Sequence, residues 1–313
     1  MRILALVPGG ISDQLLFFPT LDALKNRYPD AQIDVVVETG SKDAYRVSKS
    51  VRDVIIFEFQ GRNSLADWGN LLGVMRDREY EVALSLVNDW STGLMLWLSG
   101  IPTRVGYSGG SGSGFFTAAL PHQPKQYRAA EYHGLLQGLA IASPLPELAV
   151  KVSSRDLEWA DGERQRLGLV SGGYVVIAGA TDESQPAYPV NNWKQILEDF
   201  QKKQPDLALV VVRTLDAPFA DHLLELLPTV KLSTPENLGQ QVALLAGASL
   251  VLCCNGVTMH LAIATQAFTL ALFGQEDPKQ LLPSGDRILG LKSSTGTFAD
   301  IAPSTVLEKV WGG

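Results

Sequence analysis

Apolar residues recur along this chain in two rhythms, and their alternation predicts a parallel α/β protein. Residues 2–7 form a short apolar run, and residues 33–37, 54–57, 82–86 and 103–107 repeat the form. Such runs, bounded by turn signals, read as strands buried on both faces. Between them lie stretches of helical period: residues 13–28, with Leu15, Leu16, Leu21 and Leu24 as the apolar positions, then 42–50, 65–76 and 91–99. Pro19 falls in the early turns of the first helix, where a proline can kink it. Strands and helices alternating at this spacing predict right-handed crossovers and a doubly wound sheet.

Residues 108–114, SGGSGSG, interrupt the series. Their glycines lack the spacing of a dinucleotide fingerprint and no helix starts directly after them, so they read as a flexible loop able to close over a substrate. A helix over 126–142 follows, then a proline-bearing linker over 143–152 and a helix over 153–169. A second alternating series begins there. Strands are expected at 174–178, 207–212 and 230–232, and helices at 192–204, 217–226, 238–246 and 304–311. There is no repeat of solenoid period. The duplication is architectural: two doubly wound α/β halves, 1–150 and 151–313, facing each other across a cleft, with the last helix available to pack back on the first half.

The stretch 249–278 organises the second half. An apolar strand passes through Asn255 and Gly256, enters a helix at Met259 and ends in a second strand over 268–273. In parallel α/β sheets ligands gather beyond the carboxyl ends of strands, and the N–H groups and dipole of a helix N-terminus suit a phosphate. This stretch reads as the floor of a nucleotide site.

Composition narrows the classes. A length of 313 residues suggests two domains, and 46% hydrophobic with 19% charged residues describes an ordinary globular protein. A net charge of -7 gives no ground for nucleic acid as a partner. The two cysteines, Cys253 and Cys254, are adjacent on a strand and point to opposite faces, so they read as small buried residues and exclude a disulfide framework. His122, His133 and His222 lack metal-ligand spacing with His260, and neither a metal nor a cofactor is expected. The first ten residues hold an apolar run too short for a signal peptide, and no stretch of 18 apolar residues occurs. The expected location is cytoplasmic, with peripheral contact at the inner face of the cytoplasmic membrane left open.

Two motifs at opposite ends of the chain resemble one family. RILALVPGGISDQLLFFPTLDALKNRYPDAQIDVVVE, residues 2–38, resembles the N-terminal signature of glycosyltransferase family 9, the ADP-heptose lipopolysaccharide heptosyltransferases and their relatives. VLCCNGVTMHLAIATQAFTLALFGQEDP, residues 251–278, is similar to that family's C-terminal signature, and residues 79–107 are similar to its middle region. The resemblance implies a GT-B fold with two Rossmann-like domains, the first binding the acceptor and the second the nucleotide sugar. It implies inverting, metal-independent transfer from a nucleotide diphosphate sugar, an ADP-sugar, to a cell-envelope glycan or glycolipid acceptor.

The resemblance also assigns roles. Asp13 falls on the family's catalytic aspartate, and a carboxylate there can take a proton from an acceptor hydroxyl. The alternative is that it merely caps the helix after Ser12. Gly9 and Gly10 permit close approach of the acceptor-side loop or simply form a turn, and Ser12 belongs to the same loop. Thr258, Met259 and His260 lie where the family binds the diphosphate, their N–H groups stabilising the leaving group. Asn255 is expected to hold the turn by an Asx bond, Gly256 to free the backbone, and Thr258 to cap the helix. Thr181 is a further phosphate or sugar contact, and Gly274 and Asp277 close the far side with Phe273, which equally suits the core.

Three departures qualify that picture. The family's Lys-Arg-Trp-Pro becomes Pro186, Ala187, Tyr188 and Pro189, so its basic pair is absent. Its Asn-Asp-Thr-Gly-Pro becomes Cys254, Asn255, Gly256, Val257 and Thr258, losing an acidic side chain. Residues 108–119 contain no Lys or Arg, while Arg104, Lys125 and Arg128 read as solvated charges, which points away from a phosphorylated lipopolysaccharide core as the specific acceptor. The alternative function is a catalytically degenerate member serving as a nucleotide-sugar-binding or protein-interaction module.

Overall fold

The computed structural model describes residues 1–59, 61, 63–169, 173–179, 187–213 and 219–312. The chain forms two compact units, Met1–Ala149 and Val150–Gly313. Each unit holds one six-stranded sheet, and every strand pairing in both sheets is parallel.

The first unit runs β1 (Arg2–Leu6), α1 (Ile11–Arg27), β2 (Gln32–Val37), β3 (Asp53–Ile56), α2 (Leu65–Asp77), β4 (Val82–Ser85), α3 (Trp90–Leu98), β5 (Thr103–Tyr107), β6 (Ala118–Leu120) and α4 (Arg128–His133). The strand order is β3-β2-β1-β4-β5-β6. β1 sits between β2 and β4, with Ile3 opposite both Ile33 and Val82, and Ile3 to Val7 are inaccessible to solvent. Strands covered on both faces must be apolar throughout, which is why β1 has no polar alternation. The winding direction reverses between β1 and β4, so the loop after β1 lies where parallel sheets place ligands.

The second unit runs α5 (Ser154–Arg166), β7 (Tyr174–Ala178), α6 (Val190–Lys203), β8 (Ala208–Val212), α7 (Phe219–Leu226), β9 (Lys231–Ser233), α8 (Leu238–Leu245), β10 (Leu250–Cys254), α9 (Val257–Ala264), β11 (Thr269–Phe273), α10 (Pro278–Leu281), β12 (Ile288–Lys292) and α11 (Pro303–Trp311). Its order, β12-β11-β10-β7-β8-β9, repeats the scheme of the first unit with the reversal between β10 and β7. Trp193, Phe200, Ile177, Val211 and Leu252 share its core, where full burial of each large side chain contributes about 1.5–3 kcal/mol. α11 packs on α6: the rings of Phe200 and Trp311 are 4.7 Å apart, and Trp311 Nε1–H donates to Asp199 Oδ2 at 2.8 Å.

Several elements differ from the sequence reading. The helix expected over 42–50 is a 3₁₀ helix at Thr39–Val47. The helix expected over 126–142 ends as α4 at His133 and continues as a 3₁₀ helix, Gly134–Leu139, closed by Ala140 at φ 54. Gly138 in that segment presses against Val105, where a Cβ would run into a Val105 methyl, a closeness only glycine allows, and Gly134 lies close to the Tyr107 hydroxyl. β6 and β12 were not expected: β6 is a three-residue edge, and β12 is a half-exposed edge whose short apolar run is interrupted by Gly290 and ended by Lys292. Nor is the glycine-rich stretch a loose loop. Gly112 N–H donates to the Asn88 carbonyl at 2.7 Å, and a Cβ on Gly93 of α3 would lie 2.7 Å from the Gly112 carbonyl. These glycines let the backbone fit under α3.

Candidate functional site

In the first unit, the segment from Val7 to Gly10 is held from within. Gln14, fully buried on α1, donates through Nε2 to the carbonyls of Val7 (3.1 Å) and Gly9 (3.3 Å), and its Oε1 accepts from Tyr45 Oη at 2.7 Å. Ser41 Oγ donates to the Gly9 carbonyl at 2.6 Å. Gly9 adopts φ +93, a conformation that costs other residues strain. The chain then enters α1 with Gly10 as N-cap.

Asp13 lies in the first turn of α1. Its Oδ2 accepts from Gly10 N–H at 3.1 Å, so it does cap the helix. Its Oδ1 accepts from Tyr132 Oη at 3.1 Å and from Arg128 Nη1 at 3.3 Å. Arg128 and Tyr132 are one helical turn apart on α4, which packs along α1. Arg128 is therefore an ion-pair partner of Asp13 rather than a solvated charge. Arg104 is also engaged, its Nε donating to the Phe115 carbonyl at 2.9 Å, and burial lowers its pKa.

Three donors on one carboxylate orient Asp13, whose side chain is about a quarter exposed at 24%. Burial, then the Asp13 charge, holds the Tyr132 hydroxyl well above its ordinary pKa, so it stays a donor. Glu38, directly after β2, titrates above its ordinary range because of burial and of the Glu58 and Asp13 charges. Ser12 Oγ is buried without a hydrogen-bond partner among the described residues.

In the second unit, Gly256 at φ 151 is the N-cap of α9, which begins at Val257. Thr258 is thus the second helical residue and not the cap; its Oγ1 accepts from Gln241 Nε2 at 2.8 Å. Asn255 makes no Asx turn. Its backbone N–H donates to the Leu272 carbonyl at 2.9 Å, and its Nδ2 donates to Glu276 Oε2. Met259 and His260 are buried, and His260 N–H closes the first intrahelical bond to the Gly256 carbonyl at 3.4 Å. The earlier N–H groups of α9 precede any intrahelical partner, as in every α-helix, which suits an anion.

Gly274 is buried after β11, and Asp277 caps α10 by accepting from Lys279 N–H at 3.1 Å. Thr181 lies outside the described residues. Tyr188, at the position of the family's Trp, is a core residue: its ring lies 5.2 Å from Trp193 and its hydroxyl donates to the Ile301 carbonyl at 2.9 Å. Among the described residues no group of three or more His, Cys, Asp or Glu side chains could hold a metal ion. Sequence reasoning missed Tyr132, Gln14, Ser41 and Glu276. Gln14 left one signal, a polar side chain directly before the apolar run Leu15–Phe18 of α1, whereas Ser41 lies in a mostly polar segment and left none.

The model of one family, glycosyltransferase family 9 (heptosyltransferase), matches residues 68–310. The chain is 24% identical to "Photosynthetic NDH subunit of subcomplex B 1, chloroplastic" of Arabidopsis thaliana, over 97% of this chain and 72% of that protein. It is 22% identical to "Lipopolysaccharide heptosyltransferase 2" of Salmonella typhimurium, over 99% of this chain and 97% of that protein. Among solved structures, the Escherichia coli ADP-heptose lps heptosyltransferase II superimposes with a TM-score of 0.79 at 20% identity, over 99% of this chain and 97% of that one.

Proposed function

This chain belongs to glycosyltransferase family 9, a family of glycosyl transfer on the GT-B fold, and on that premise we propose that it is an inverting, metal-independent transferase. The donor is a nucleotide diphosphate sugar, and the ADP-heptose named for the Escherichia coli protein supports an ADP-sugar. The acceptor is a cell-envelope glycan or glycolipid. Among the described residues no helix is long and apolar enough to cross a membrane. The proposed encounter with a lipid-borne acceptor is peripheral, at the inner face of the cytoplasmic membrane.

The observation that carries this reading is the Asp13 carboxylate held by Gly10, Arg128 and Tyr132. In the proposed reaction Asp13 takes the proton of the acceptor hydroxyl as its oxygen attacks the anomeric carbon, and the bond from that carbon to the diphosphate breaks. Gly9, Gly10 and Ser12 form the acceptor-side loop. The turn at Asn255 and Gly256 and the N–H groups of Thr258 and Met259 receive the diphosphate, whose charge grows as it leaves, while the N–H of His260, also expected there, is committed to the Gly256 carbonyl. Gly274 and Asp277 border that region, and Thr181 is proposed as a further donor contact.

Calorimetry with ADP-, UDP- and GDP-sugars tests the donor assignment, and turnover of Asp13→Asn tests the base. The expected result is binding of an ADP-sugar, unchanged in the variant, with kcat lowered by roughly 10²–10⁴-fold. No binding of any nucleotide sugar at millimolar concentration overturns the reading.

Two observations bear on a second reading. The Arabidopsis relative is named as a subunit of an assembly, and the family's basic pair is absent here. A member that binds a nucleotide sugar or a protein partner without turnover would fit both, and would leave Asp13→Asn without effect on any measured property except stability.

A further inference from the structure

Asn255 stands where the family carries its acidic residue, so the turn after β10 has lost a carboxylate. The fold returns one from a different segment. Glu276, in the loop after β11, accepts a hydrogen bond at Oε2 from Nδ2 of Asn255. β10 and β11 are neighbouring parallel strands, with Cys254 beside Leu272, so the loops leaving their carboxyl ends meet. Asn255 is 8% exposed, and its Oδ1 is buried with no hydrogen-bond partner among the described residues. With the amide nitrogen committed to Oε2, Oε1 of Glu276 is the oxygen turned to other partners.

We infer that Glu276, positioned by Asn255, is a donor-binding carboxylate of this chain whose Oε1 accepts a hydrogen bond from a sugar hydroxyl. This rests on the donor reading given above. A carboxylate beside the N-terminus of α9 repels phosphate oxygens, so its partner is a hydroxyl and not the diphosphate. Two parts of a nucleotide sugar offer such hydroxyls, the ribose and the transferred sugar, and a charged acceptor holds either more strongly than a neutral one. The contact would make the sugar, and not only the diphosphate, a determinant of binding.

The test compares ratios of affinity within each protein, so any loss of folded fraction cancels. ADP, 2′,3′-dideoxy-ADP and ADP-glucose are titrated calorimetrically into the full-length wild type, Glu276→Gln and Glu276→Ala. Glutamine keeps an oxygen for Asn255 Nδ2 and puts a neutral NH2 donor in place of the second carboxylate oxygen. If the ribose is the partner, wild type prefers ADP over dideoxy-ADP by about tenfold and both variants narrow that preference to about twofold. If the transferred sugar is the partner, the variants instead remove a gain of about tenfold from ADP to ADP-glucose. The same two ratios in wild type and both variants would overturn the inference, leaving Glu276 a structural clamp. Failure of wild type to bind either ADP or ADP-glucose would overturn the donor reading, and this inference with it.

Discussion

The carboxylate of Asp13 occupies the space that a side chain on Gly9 would need. A Cβ built on Gly9 collides with Oδ2 of Asp13, and Gly9 already sits at φ +93. The glycine is what allows the carboxylate to fold back and meet Gly10 N–H. Gly9→Ala is therefore expected to displace Asp13 and to strain the backbone, lowering stability by about 1–3 kcal/mol. Turnover should fall with it while donor affinity, read by calorimetry, stays at the wild-type value. Gly10→Ala is the control for stability alone, because nothing lies within 4 Å of its Cβ position.

Arg128 and Tyr132 are expected to act through Asp13. Tyr132→Phe removes one donor and Arg128→Lys replaces a rigid fork by a point charge. Each should lower kcat by about 10–100-fold through misplacement of the carboxylate, with donor Kd unchanged. Single-turnover kinetics beside calorimetry check this. A change in Kd alone would assign the two residues to binding.

Asp34 on β2 is fully buried among Arg52, Arg78 and Tyr80. Arg52 Nε donates to Oδ1 at 2.9 Å, and Arg78 Nη1 and Tyr80 Oη donate to Oδ2 at 2.7 and 2.6 Å. Burial would raise this carboxyl, but the bonds from Arg52, Tyr80 and Arg78 outweigh it and its pKa lies below the ordinary value. The ionised form is thus favoured in the folded chain. Its contribution is complete above the unfolded pKa of about 3.9 and is lost as pH falls through the lower folded value. Asp34→Asn should cost about 3–5 kcal/mol at pH 7, because it leaves the two arginines beside a neutral group. The deficit should shrink on acidification, as urea melts between pH 7 and pH 3 would record.

Ala187 is exposed at the place of the family's missing Arg. Ala187→Arg should leave the melting temperature unchanged and tighten ADP binding by up to about fivefold, the scale of one exposed ion pair. Unchanged affinity at low salt would remove this position from the donor site.

The central strands were legible because both faces of a parallel sheet exclude water: β1 and β10 are apolar runs with no competing reading. The edges were not, since β12 is half-exposed with no regular alternation and carries Gly290 and Lys292. The helix after residue 126 was misjudged because its break answers to close packing against Tyr107 and Val105, a tertiary demand without a local period. Asp13, Gly9 and the β10 turn were found by motif. Arg128 and Tyr132 were not, because 115 and 119 residues separate them from Asp13 in sequence. Glu276 was illegible for a similar reason: it reaches Asn255 from the loop after the neighbouring strand β11, 21 residues further along the chain.

The two adjacent cysteines on β10 give the protein a built-in label. Both thiols are buried, Cys254 pushed up to about 12 and Cys253 well above its ordinary value by the same burial, so neither presents a thiolate to an alkylating agent while the strand is in place. The chain holds no other cysteine, and both lie in the second unit on a strand flanked by β7 and β11. Iodoacetamide trapping would therefore time the opening of one sheet and ignore the other, reporting on the second unit without any engineered probe.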